Sequence, residues 1–250
     1  PSGGTGIWTP TNLNWWNGTA VQTYDTGASP HDTIFGFNAG TVSIGSPVTA
    51  ASLRFDIDGY TLAGSELTLV GSNEITVTNA GDTATISAPI AGIGLVKNGG
   101  GTLALWDVNS FSSLDILGGR VSVDDDDQLG AATAKVSLNS GTLLVTGTSS
   151  LKAADTRNFH IGPAGGTFDI QNNSKTGLTI QGLLSGTGSL VKTGAGTLRL
   201  DAVNNMFAGG IAIEDGVLRF NNNNDAGPKA LRLNTITFAP SGGSPVLSIG

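Results

Sequence analysis

One stretch of this chain is written twice. The run from Gly94 to Leu105, Gly-Leu-Val-Lys-Asn-Gly-Gly-Gly-Thr-Leu-Ala-Leu, reads against Ser189 to Leu200, Ser-Leu-Val-Lys-Thr-Gly-Ala-Gly-Thr-Leu-Arg-Leu, at an offset of 95 residues. Val108-Asn109 then falls on Val203-Asn204, and Phe111 on Phe207 after one added residue. Gly119 to Val123 falls on Gly216 to Phe220 after one more. Asp124 to Asp127 sit opposite Asn221 to Asn224, and Gly130 opposite Gly227. Each copy reads strand, glycine turn, strand, glycine turn, with alternating apolar residues and no helical period. A repeat of short strands cannot bury its apolar face alone, so the chain is expected to stack such units into an elongated body.

The composition suits that body. Gly supplies 38 of 250 residues, about twice the usual share, without the Gly-X-Y period of collagen. Only 12% of residues are charged against 38% hydrophobic, so Thr, Ser, Asn and Gly must form the surface. A disordered chain would carry more charge and fewer Val, Ile and Leu. Net charge is −7, and the twelve Lys and Arg are scattered singly in the sequence with no basic run. Nucleic acid and anionic bilayers are therefore not expected partners. Cys is absent, which fits a chain that stays extended while crossing an envelope. No apolar run approaches the roughly 20 residues of a membrane helix. Both ends read as cuts, Pro1 replacing a start and Val246 to Gly250 lying inside a strand pattern, so a longer product truncated at the C-terminus is expected.

Residues 1–35 hold Trp8, Trp15 and Trp16, three of the four tryptophans, and are expected to cover the open end of the stack. From about Thr33 onward, short alternating runs bounded by Gly, Asn or Asp follow one another, as in Ser52 to Ile57, Leu67 to Val70, Thr142 to Val145 and Leu178 to Ile180. Spacings of roughly 8 to 12 residues between runs also fit a sandwich or barrel. The long repeat interval and the glycine turns favour an all-β, right-handed parallel β-helix over residues 36–250. Its rungs would take about 20 to 25 residues and stack at about 4.8 Å, giving roughly ten rungs and about 50 Å of rod.

The run Gly186 to Leu218 closely resembles the passenger-associated repeat of autotransporter proteins. The pattern falls on Gly186, Gly188 and Lys192, then Gly194, Gly196, Thr197, Leu198 and Leu200, then Asn205 with Gly209 and Gly210, then Gly216 with Leu218. The copy at 92–123 is more diverged, with Ser112-Ser113 in place of the Gly-Gly step. The resemblance implies a β-helical passenger at the surface of a Gram-negative bacterium or secreted from it. It would be exported by the type V route through a C-terminal outer-membrane barrel. It implies a structural or adhesive role towards host or neighbouring-cell surfaces, glycans or other copies of the chain, with a self-assembling filament as an alternative.

Catalytic groups are sparse. His31 and His160 are the only histidines, and no His-Glu-x-x-His, Gly-x-Ser-x-Gly or phosphate loop is present. Lys192-Thr193-Gly194, Lys175-Thr176-Gly177 and Ser149 to Lys152 mimic isolated β-lactamase signatures without the Ser-Asp-Asn element. The chain is therefore read as a non-enzyme. A polysaccharide-degrading β-helix is the rival, and would require charged singles such as Arg54, Asp56, Asp115, Arg120, Asp169, Lys175, Arg199, Asp201 and Arg219 to converge. No cofactor is expected apart from Ca²⁺. Asp124, Asp125, Asp126 and Asp127 are candidate Ca²⁺ ligands set against a solvated acidic turn, and Asp56 to Gly59 is a weaker loop of that kind. Trp8, Trp15 and Trp16 are read as closing an apolar end, with stacking on sugars as the alternative.

Overall fold

The computed structural model describes residues 3–24, 30–171, 177–202, 205–220, 235–240 and 242–249. It is a parallel β-solenoid. Every strand pairing but one is parallel among the described residues, the exception joining Trp15–Trp16 to Val21–Gln22. The only helical element among them is a single 3₁₀ turn, Asp127–Leu129. Three sheets wrap the core. Face 1 has eleven strands, face 2 has ten and face 3 has five.

The period-two pattern of each short run explains the walls. In Thr41–Ile44 and Tyr60–Gly64, alternate residues are buried and the intervening ones are not. Parallel pairing, with one register shift after Ala50, then sets inward side chains over one another. The inward column on face 2 runs Leu53, Ile75, Lys97, Ile116, Leu138, Ile161. That on face 1 runs Leu103, Val121, Leu143, Phe168, Lys192, Ile213. Each such column is buried, and burying a Leu or Ile side chain contributes about 1.5–3 kcal/mol. From Thr41 onward, successive face 1 strands are separated by 18 residues (Thr102 to Arg120) to 25 residues (Ala212 to Thr237). Eleven strands make ten steps, or about 48 Å of rise at the ordinary strand separation.

The cross-section changes along the axis. Up to Thr142–Val145 the chain alternates between faces 2 and 1, and a register shift after Ala50 sets off one part of face 2, the row Val48–Ala50, Leu67–Leu69 and Ile90–Gly92, from the rest. Leu151–Lys152 opens face 3, and Gly177–Ile180, Thr197–Leu200, Val217–Phe220 and Val246–Ile249 extend it. The two repeat copies fall on opposite sides of this change. In the first copy, Leu95–Asn98 lies on face 2 and Thr102–Leu105 on face 1. In the second, Leu190–Thr193 lies on face 1 and Thr197–Leu200 on face 3. The motif has been rotated by one face. Arg120–Val123, which leads into Asp124 to Asp127, is on face 1, whereas Val217–Phe220, its counterpart, is on face 3. Asn221 to Asn224 lie outside the described residues.

Within each copy the pairing scheme is nevertheless identical. Leu95 pairs with Leu114 and Leu190 with Ile211, one rung on. Thr102 pairs with Arg120 and Thr197 with Val217. Each copy is thus two consecutive rungs folded on one another. The corner between them is glycine for a steric reason. Gly194 (φ +71°) and Gly216 (φ +66°) occupy the left-handed region, and a Cβ on Gly216 would strike the carbonyl oxygens of Gly194 and Gly196 below it. Gly119 stands in the same relation to Gly99 and Gly101.

Gly216→Ala combines that clash with a positive φ and is expected to cost about 3 kcal/mol, whereas Gly59→Ala is expected to cost about 1 kcal/mol. Gly59 also has a positive φ, 87°, but a Cβ there meets nothing closer than Ala39 Cβ at 3.6 Å. Urea denaturation of the two variants measures the difference, and equal losses would show that close stacking adds nothing at Gly216.

Candidate functional site

The repeat carries two lysines inside the core. Lys97 stands in the face 2 column between Ile75 and Ile116, and Lys192 in the face 1 column between Phe168 and Ile213. Both side chains are fully buried. A buried ammonium is costly unless its donors are satisfied. Lys97 Nζ donates to the carbonyls of Asn98 (2.6 Å) and Gly99 (3.1 Å) in its own turn, and of Gly118 (3.3 Å) in the next rung's turn. Lys192 Nζ donates to Thr193 (2.6 Å), Gly194 (2.6 Å) and Asp215 (3.1 Å) in the same pattern. Each lysine therefore ties one glycine corner to the corner above it, using carbonyl dipoles instead of a carboxylate. Burial pulls the pKa of both lysines down from 10.5 to about 8, and at Lys192 the charges of Asp215 and Asp169 oppose part of that pull.

An asparagine closes the other end of each unit. Asn109 Oδ1 accepts the Ile90 N–H (2.8 Å), and its Nδ2 donates to the Gln128 carbonyl (2.8 Å), spanning the rungs before and after. Asn205 Oδ1 accepts the Leu184 N–H (2.7 Å). Asn205, not Asn204, is thus the counterpart of Asn109; the added residue precedes the asparagine. Phe111 and Phe207, each two residues on, are both buried.

The remaining motif residues hold the same unit together. Leu198, Leu200 and Leu218 are buried, and Thr197 lies half-buried between Gly177 and Val217 on face 3. A Cβ on Gly186, Gly188 or Gly209 would strike the backbone carbonyl of Ile161, Gly162 or Gly188 respectively. Gly210 differs, with only the Thr235 carbonyl at 3.6 Å, so close packing does not require glycine there.

Asp124 to Asp127 are organised by other residues. Arg157, wholly buried, donates through Nε to Asp126 Oδ1 (2.7 Å) and through its terminal nitrogens to Asp126 Oδ2 (3.2 Å) and four backbone carbonyls, those of Asp126, Leu129, Gly130 and Ala134. Gln128 bonds both the side chain and the N–H of Asp124, and Asp125 Oδ1 accepts the Asp126 N–H. Burial, then the neighbouring carboxylates of Asp125 and Asp126, raises the pKa of Asp127. Among the described residues no group of three or more Asp, Glu, His or Cys is arranged to hold a metal ion.

At the N-terminal end the tryptophans divide. Trp8 is buried, with ring centroids 5.0 Å from Trp15, 4.9 Å from Tyr24 and 5.9 Å from Phe35. Trp15 is half-buried and Trp16 is exposed. Phe35 stacks on Phe55 at 4.8 Å, joining this cluster to the core.

The charged singles do not meet in one groove. Arg54 pairs with Asp56 (3.0 Å) beside face 2, Arg120 with Asp169 (3.0 Å) across face 1, and Arg199 with Asp201 (2.6 Å) beside face 3. His160 Nδ1 lies 3.1 Å from Ser185 Oγ, and Asp115 is two rungs below in the same face 2 column. Two strand separations, about 9.6 Å, are too far for that carboxylate to orient the imidazole. Lys175 lies outside the described residues.

The comparisons with known proteins agree with this geometry. The Passenger-associated-transport-repeat family matches residues 95–123 and 190–220, the two lysine-bearing units. The Adhesin BmaC autotransporter of Brucella suis biovar 1 (strain 1330) is 34% identical over 231 aligned positions, covering 78% of this chain. The chain belongs to the autotransporter passengers. It is a cell-surface or secreted segment of a Gram-negative bacterium, and it spans 6% of the length of that relative. No solved structure matches it significantly.

The family resemblance was legible from glycine and leucine spacing, but the buried lysines and Arg157 were missed. Strand parity was the available signal for the lysines, because Leu95 and Lys97 share one side of a strand, as do Leu190 and Lys192. Arg157 left no comparable signal.

Between pH 8 and 10.5 the unfolded chain holds lysine protons that the folded chain has shed. Stability is therefore expected to be flat in this respect below about pH 8 and to rise from pH 8 towards 10.5. The urea midpoint should increase between pH 7 and pH 9.5, and Lys97→Met/Lys192→Met should flatten the increase; a slope that survives in the double variant would place its source elsewhere. Arg157→Met strands the Asp126 carboxylate and several carbonyls and is expected to cost about 3 kcal/mol, which thermal unfolding will register.

Proposed function

We propose that this passenger is a non-enzymatic adhesive rod. Its role would be to hold binding faces away from the bacterial surface after delivery by a C-terminal outer-membrane barrel in the whole protein. The similarity to an autotransporter named as an adhesin carries this reading. Three features support it. The core is one connected cluster of buried apolar side chains running along the stack. The repeat residues are spent on stacking. The paired carboxylates of the rival hydrolase reading are bonded to arginines on different faces. Adhesion would then depend on residues pointing outward from the walls, which are free to vary without disturbing the inward columns.

Beads coated with the 250-residue chain should bind epithelial cells saturably, and soluble chain should compete them off. Binding no greater than that of beads carrying an unrelated β-solenoid would overturn the adhesive reading. Release of reducing ends from any polysaccharide tested would restore the hydrolytic one.

A further inference from the structure

The twelve basic residues form no run in the sequence, yet parallel register gathers some of them. On face 3, Lys152 pairs with Thr179, Thr179 with Arg199, Arg199 with Arg219, and Arg219 with Ser248. These residues form one outward column, with Lys152 and Arg219 exposed and Arg199 half-exposed. Adjacent members are about 4.8 Å apart, so Arg199 and Arg219 are separated by one such step and Lys152 and Arg199 by two. Asp201, the carboxylate beside the column, is engaged by Arg199. Lys152 and Arg219 have no carboxylate partner among the described residues. The neighbouring outward column, Gly177, Thr197, Val217, Val246, is uncharged.

We infer that face 3 binds a linear sulfated polysaccharide lying along the solenoid axis, an inference that rests on the adhesive reading and names the partner's chemistry. A cationic column in a chain of net charge −7 is a local reversal of sign, and it selects for an anionic partner by charge complementarity. The column is straight and one residue wide. It fits an extended polymer whose anionic groups recur at about 5–10 Å, one or two strand separations, better than a folded protein surface. The arginine guanidinium offers a planar fork suited to sulfate oxygens. The uncharged column alongside gives the sugar rings a flat surface containing two valines. Single-stranded nucleic acid, the other extended polyanion, is bound with aromatic side chains under its bases. The exposed aromatics Trp16, Phe37, Trp106 and Phe238 are all off the face 3 strands. Sequence length between the three residues, 47 and 20 positions, gives no hint of the column until register is known.

Heparin serves as the probe, with single-stranded DNA and neutral dextran as comparators, in titrations of the intact chain at several salt concentrations. Heparin should bind, weaken as salt rises, and exceed both comparators. Arg219→Gln should lower affinity about threefold and Lys152→Gln/Arg219→Gln about tenfold, the scale of exposed charge contacts. Lys135→Gln removes the same charge from an exposed position on face 2 and should change affinity less than twofold. Circular dichroism and urea midpoints confirm that the variants keep the fold. Equal losses in Lys135→Gln, DNA binding as tight as heparin, or no heparin binding would each overturn the inference. Cell adhesion that persists without heparin binding would remove this inference and leave the adhesive reading standing. Heparin binding by a chain that fails to adhere would do the reverse.

Discussion

Everything in this molecule depends on rungs stacking without slip. Side chains alternate across a strand, so a one-residue shift between neighbouring rungs would send each inward Leu, Ile or Phe to the solvent side. The glycine corners make the correct register sterically available, because only a residue without Cβ fits where Gly216 rides over Gly194 and Gly196. The lysines then hold it. An ammonium at the corner reaches carbonyls in two successive turns only if those turns are aligned, so Lys97 and Lys192 reward the correct stacking and no other. Three carbonyl acceptors offset part of the desolvation of the charge, and burial still pulls the pKa of both lysines down. A cation retained in an apolar column despite that cost specifies alignment more than it adds stability.

This division of labour explains how one motif can serve two faces. The first copy runs from face 2 to face 1 and the second from face 1 to face 3. Their internal contacts are alike: lysine to the next corner, asparagine to the preceding rung, and aliphatic over aliphatic, Leu95 on Leu114 and Leu190 on Ile211. None of these contacts involves the outer surface of a wall. A unit defined only by what lies inward and at the corner can sit on either pair of faces, and the two copies do so.

The solenoid was readable because its determinants are local. Alternation over Thr41 to Ile44 or Thr142 to Val145 and glycine at the corners are visible within ten residues. The repeat itself was visible at an offset of 95. The opening of face 3 at Leu151 was not visible, because it depends on how many residues each rung takes before returning, and those lengths vary from 18 to 25 on face 1. The fate of Asp126 was equally hidden. Its partner Arg157 is 31 residues away and arrives from the following rung, turning what reads as a solvated acidic run into the anchor of a buried guanidinium. The alignment slip between Asn204 and Asn205 is of another kind, since Val108 favours Asn204 and Phe111 favours Asn205 in the sequence, and the Leu184 N–H selects Asn205.

The chemistry presented outward follows a different logic from the core. In a parallel stack, residues about one rung apart in sequence become neighbours about 4.8 Å apart, so a sparse scatter of charges is folded into columns. Face 2 thereby places Asp32, Ser52, Glu74, Val96 and Asp115 in one line, mostly acidic or neutral, while face 3 lines up Lys152, Thr179, Arg199 and Arg219. Two walls of one acidic protein thus differ in sign, although no segment of the sequence is strongly basic. Substitutions at these positions leave the inward columns and corners untouched, so the walls can change partner chemistry while the lysine-stapled units keep the register that gives each wall its columns.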